Sequence, residues 1–153
     1  MNDPRNPRKT ANLTSLAMLT PHESLLVNQK RGLLIAEMGT AATLPGLLAV
    51  YDVRTDCRHP RLLSSSLGGL TGHESGFSPD GRTFWISGTT EGLYAVDLTD
   101  PRRPKRIFSQ FNTRYHGMRL SADGRTLYAA FIGDPGPGGI TGPGMRILDV
   151  SQV

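Results

Sequence analysis

Three histidines recur at places where they could do chemistry. His22 to Ala36 reads HESLLVNQKRGLLIA, His73 to Ser87 reads HESGFSPDGRTFWIS, and His116 to Ala130 reads HGMRLSADGRTLYAA. The segments align without a gap at offsets of 51 and 43 residues, and Arg31, Arg82 and Arg125 share one position. Neutral imidazole is a common transition-metal ligand. A repeat that brings one His per unit to a shared place can therefore gather a divalent metal on His22, His73 and His116, or hold a polar ligand there. Glu23 and Glu74 follow two of them and suit the orienting of ring nitrogens, while the third unit has Gly117 instead. The same recurrence equally fits a structural use, each His fastening one repeat. His59 lies in a turn and is expected to be solvated.

Other reactive patterns are not legible. The sequence contains no Gly-x-Ser-x-Gly elbow, and its one cysteine, Cys57, has no activating pattern beside it. The run Gly136 to Gly144 is rich in Gly and Pro but lacks the Gly-Lys-Ser/Thr of a phosphate loop, and reads as a flexible insertion. Asp52, Asp97 and Asp149 each end an apolar run and read as turn caps rather than paired acids. No residue is singled out as catalytic.

The elements that must position these side chains read as strands. Ser78-Pro-Asp-Gly81 and Ser121-Ala-Asp-Gly124 place Asp-Gly where a tight hairpin needs positive φ. The runs after them, Thr83 to Ile86 and Thr126 to Ala129, have strand composition. A second run in each unit ends in Asp: LLAVYDV, LYAVDL and MRILDV. An Asp- and Pro-rich turn then follows at Asp56 to Pro60 and at Asp100 to Pro104, and the same signature opens the chain at Asp3 to Pro7. No window sustains a 3.6-residue apolar period over a helix length. Short strands repeating every 40 to 50 residues or so are the mark of a β-propeller with four antiparallel strands per blade.

The run Leu93-Tyr-Ala-Val-Asp-Leu-Thr-Asp-Pro-Arg-Arg-Pro104 resembles the LVIVD repeat, and the Ser-Pro-Asp-Gly-Arg-Thr segment is similar to YVTN-type and lactonase-type propellers. The resemblance implies an all-β propeller from an exported or surface-associated setting, mostly without assigned activity. In that architecture the histidines fall where the outer strand of one blade hands over to the inner strand of the next, at one mouth of the channel. Two precedents from propellers then apply. Some propeller enzymes hold iron or copper with His from successive blades, and in WD-type blades a Gly-His pair, here Gly72-His73, fastens the blade.

The expected organisation is an outer strand of a preceding blade near Arg8 to Leu13 within residues 1–21, then blades at 22–66, 73–110 and 116–153. Three blades do not close a ring, since propellers have roughly four to eight. Either the chain is a piece of a longer propeller, or a second copy completes it with its N-terminal strand. Loops at about Glu37 to Gly46 and Gly133 to Gly144 open on the face that carries the histidines.

At 153 residues with 37% hydrophobic and 20% charged content, the chain has the composition of one globular domain, and no apolar run is long enough to span a membrane. The net charge of +4 comes from 14 Arg and 3 Lys scattered over turns, without a nucleic-acid recognition motif. No apolar leader is present, so the chain as written is expected in the cytoplasm. The leading expectation is a non-catalytic binding module, its channel mouth formed by His22, Glu23, His73, Glu74 and His116 and taking a protein or small-molecule ligand. The alternative is a metal-dependent propeller enzyme, oxidoreductase or lactonase-like, using the same histidines.

Overall fold

The computed structural model describes residues 3–21, 23–38, 47–67, 72–88 and 92–153. Strands β1 (Leu26–Asn28), β2 (Leu33–Glu37), β3 (Leu47–Asp52) and β4 (Arg61–Leu67) form one antiparallel sheet in sequence order. Strands β5 (Glu74–Phe77), β6 (Thr83–Ser87), β7 (Gly92–Asp97) and β8 (Lys105–Phe111) form a second. The third sheet holds β9 (Tyr115–Leu120), β10 (Thr126–Phe131) and β13 (Gly144–Asp149), in the order β13-β10-β9. The chain is thus all-β, three propeller blades set side by side without closure. No helix among the described residues is long and apolar enough to cross a membrane.

Local chemistry explains the hairpins. Gly81 and Gly124 adopt φ of 71° and 73°, the left-handed region that Asp-Gly supplies cheaply. Asp80 accepts from the Ser78 hydroxyl and the Arg82 N–H, and Asp123 does the same with Ser121 and Arg125. The Asp residues ending β3, β7 and β13 cap the turns that follow. Asp52 accepts from the Arg54 N–H and the Thr55 hydroxyl, Asp97 from the Thr99 N–H and Asp149 from the Ser151 N–H. Asp52 is thereby held down to about 2, the Thr55 hydroxyl being the largest cause.

Alternation along the strands sends successive side chains to opposite faces, so each middle blade packs on both neighbours. Leu33, Ile35, Leu48 and Val50 of the first blade meet Phe84, Ile86, Tyr94 and Val96 of the second. Trp85, Leu93 and Ala95, on the opposite face, meet Tyr115, Met118, Leu127 and Ala129 of the third. At the edge opposite the histidines, Arg31 reaches across and donates to the carbonyls of Gly81 at 2.9 Å and Leu98 at 2.7 Å, tying blade one to blade two.

Three findings depart from the sequence reading. Residues 7–14 carry no strand. With prolines at 4 and 7, this segment leads into a 3-10 turn, Leu16–Leu19. Ala17 of that turn is fully buried against Ala36, Met38, Ala49 and Tyr51, so the segment covers the outer face of blade one. The Gly- and Pro-rich insertion of the third unit carries a hairpin of β11 (Asp134–Gly136) and β12 (Gly139–Thr141).

The gapless alignment of the first unit also slips. Leu26 pairs with Ile35 and Gly76 with Trp85, an offset of 50, whereas the bridge between the inner strands joins Glu23 to Glu74, an offset of 51. Ser24 continues the β1–β2 register opposite Glu37: its hydroxyl accepts from the Glu37 N–H at 3.1 Å and donates to the Glu37 carbonyl, standing in for a ladder pair.

Candidate active site

The site forms where three inner strands begin. The inner ends of blades one and two run parallel, joined by the Glu23–Glu74 bridge, and His116 enters from the second residue of β9. His73 is anchored through its backbone, its N–H bonding the Ser87 carbonyl at 2.8 Å. Gly72 before it must be glycine. A Cβ there would stand 2.5 Å from both Glu37 Cγ and Ile86 Cγ2. The Gly-His pair therefore does fasten the blade, but by glycine packing and a main-chain bond.

Through Nε2 the imidazole takes part in the mouth. Glu23 Oε2 lies 2.7 Å from His73 Nε2 and 3.8 Å from His116 Nε2. The two rings face each other with centroids 4.9 Å apart and planes tilted by 53°. One potential ligand atom from each of the three residues falls within 4.8 Å of the others. The side chains of His73, His116 and Glu23 are 22%, 39% and 54% exposed, so solvent reaches the carboxylate while the rings are partly shielded.

Glu74 sits behind this trio. Its carboxyl is pushed up by partial burial first, then by the charge of Glu23, while the nearby His116, Arg119 and His73 pull the other way. The Glu74 carboxylate occupies the space that Gly117 leaves open, 3.7 Å from where a Cβ would stand. Below it a cavity of about 500 Å³ runs along the inner strands, lined among others by Leu26, Glu74, Met118, Arg119 and Tyr128.

The structure gathers four of the five residues singled out at the mouth: Glu23, His73, Glu74 and His116. His22 lies outside the described residues, as does most of the first long loop. Glu23, read as orienting a ring from behind, is itself at the centre of the cluster. His59 bonds Asp56 at 2.8 Å on an exposed turn, as expected.

Two residues escaped the sequence reading. Arg119 shares the open face of β9 and supplies a cation to the cavity. Glu37 was placed at the start of a loop but ends β2, wholly buried, with neither carboxylate oxygen hydrogen-bonded. The alternation Leu33, Ile35, Glu37 was the available signal, since it puts the acid on the face that packs against blade two.

No family model matches the chain, and no curated protein matches it in sequence. Its fold has solved relatives. A protein of Bacteroides uniformis provisionally named a 6-phosphogluconolactonase superposes with a TM-score of 0.60 at 16% identity, over 84% of this chain and 36% of its own. One of Bacteroides fragilis with the same provisional name gives 0.53 at 16% identity, over 82% of this chain and 41% of its own. The chain therefore spans well under half the length of these relatives. The expectation of a non-catalytic binding module is corrected by these neighbours, which carry enzyme names, and nothing in the fold speaks for a purely adhesive role. At this identity the likeness establishes the architecture, and the three sheets are blades of a β-propeller.

Proposed function

We propose that the chain forms the hydrolytic mouth of a lactonase-like propeller, opening a cyclic ester with water activated at Glu23, His73 and His116. The observation that carries this reading is the convergence of two imidazoles from different blades on one carboxylate oxygen, at 2.7 and 3.8 Å. Ester hydrolysis needs a group that takes a proton from water and a site that steadies the developing oxyanion. A carboxylate hydrogen-bonded to one imidazole and beside a second supplies the first. The second is met from the cavity side, where Arg119 brings positive charge next to the mouth. The names of the two structural neighbours support the choice of a lactone. The segment Leu93 to Pro104 supports reading the blades as LVIVD-type repeats, since Asp97 caps the turn and the prolines carry the chain into β8.

The test is a pH-stat assay with glucono-δ-lactone and its 6-phosphate on the wild-type chain and Glu23→Gln. Acceleration over buffer by the wild type, reduced about 10²-fold or more in the variant, supports the proposal. Equal rates with and without protein, or full activity in Glu23→Gln, overturn it.

A further inference from the structure

We infer that Glu23, His73 and His116 form a binding site for one divalent first-row transition metal of the zinc type. The inference stands on the geometry of the three side chains and does not depend on the hydrolytic reading.

Both histidines present Nε2 to the same carboxylate oxygen. Only one bonds it in this arrangement: the His73 contact at 2.7 Å is a hydrogen bond, while the His116 contact at 3.8 Å is too long for one. The second ring is thus aimed at the carboxylate without a hydrogen bond to it. The three side chains make a good ligand set. Zinc holds imidazole nitrogen and carboxylate oxygen at about 2.0–2.2 Å, so tetrahedral ligand atoms stand roughly 3.3 Å apart. The observed separations of 2.7 and 3.8 Å bracket that value, and all three atoms lie within 4.8 Å. A metal would replace the crowded contact by three bonds once the side chains draw the ligand atoms to that spacing.

The chemistry of the set narrows the ion. Two imidazoles and one carboxylate are borderline ligands that suit zinc and its first-row neighbours, whereas calcium and magnesium prefer all-oxygen shells. Two protein nitrogens and one oxygen leave a fourth tetrahedral position, and the exposure of Glu23 opens it to water, as in catalytic rather than structural zinc sites. The backbone supports the ligands from beneath. His73 is held by its own N–H on Ser87, His116 by the β9–β10 ladder, and Glu23 by its backbone bridge to Glu74. None of these anchors uses the imidazole or carboxylate atoms that would bind the metal.

The test is calorimetric titration of the chelator-stripped chain with Zn²⁺, and separately with Ca²⁺, paired with Co²⁺ substitution read by visible absorption. The expected result is one equivalent of Zn²⁺, no saturable Ca²⁺ binding, and a tetrahedral Co²⁺ spectrum. Glu23→Gln and His116→Ala should each lower Zn²⁺ affinity beyond the about 10- to 100-fold that outer-sphere changes cost. Both positions are partly exposed, so circular dichroism melts of the metal-free variants should match the wild type. In the wild type alone, Zn²⁺ should raise the melting temperature by mass action. Wild-type affinity in both variants overturns the inference. So does saturable binding that is lost in His22→Ala but kept in Glu23→Gln. Stoichiometric Zn²⁺ without lactone hydrolysis upholds this site and removes the reaction proposed above.

Discussion

Glu37 sits between blades one and two with its side chain fully buried and, among the described residues, no hydrogen-bond partner for either carboxylate oxygen. Burial without a partner favours the neutral acid, so its pKa stands well above the ordinary 4.5. The native state then binds a proton that the unfolded chain gives up, and stability falls as pH rises. The contribution is full below the unfolded value of 4.5 and is lost as pH climbs through the raised folded value. Glu37→Gln abolishes the ionisation. Thermal unfolding from about pH 5 to about pH 9 should therefore decline less steeply in the variant than in the wild type. Glu37→Met, which fits the same space without polar atoms, should add about 1–3 kcal/mol at neutral pH by denaturant titration. Identical pH profiles in wild type and Glu37→Gln would show that this carboxyl ionises alike in the folded and unfolded states. The same residue shows why Gly72 is fixed, because its acidic stem fills the space a Cβ would need.

Among the elements, the hairpins and turns are legible from sequence because their chemistry is local. Asp-Gly supplies the positive φ, Ser-x-Asp closes the loop, and the Asp ending each third strand caps the next turn. These carboxylates are stabilised in the folded state, Asp52 most clearly, at about 2 against an ordinary 3.8. The sign is opposite to that of Glu37. A lowered folded value gives stability that is full above 3.8 and is lost as pH falls towards 2. Asp52→Asn should therefore be less stable than wild type at pH 7, with the gap narrowing and closing near the folded value of about 2. Urea unfolding at stepped pH values measures this, and a gap that persists in acid would point to lost packing instead. What the sequence hid is non-local. The one-residue difference between the gapless alignment and the hairpin register cannot be seen in the sequence, yet a slip of one flips strand faces. The clustering of His73 and His116 was legible from repeat symmetry. The entry of Glu23 between them was not, because it depends on how the inner strands of two blades meet. The N-terminal segment shows no strand here, where the inner strands of a preceding blade are not present to pair with it, and it lies on a sheet face instead.

For the whole molecule, the arc of blades has two unlike ends. At the first blade, Ala17, Leu13 and Met18 cover the outer face. At the third, the face turned away from blade two carries Tyr128, Met145 and Ile147, which are 39%, 65% and 62% exposed. β13 is also an edge strand there, with unpaired backbone groups on one side. Covering a large apolar side chain is worth about 1.5–3 kcal/mol, so this end favours association of the chain with itself. An uncovered face on one end and a covered face on the other do not match as a two-fold pair, and head-to-tail contact without closure yields mixed oligomers. Sedimentation velocity of the wild-type chain should accordingly show mass that grows with concentration rather than one discrete dimer. The double variant Met145→Lys with Ile147→Lys should weaken that association about tenfold or more. Its melting temperature should change little, because neither residue belongs to the two cores between blades. A discrete dimer that survives the double variant would place the contact elsewhere, and would favour a closed ring of two chains over an open end.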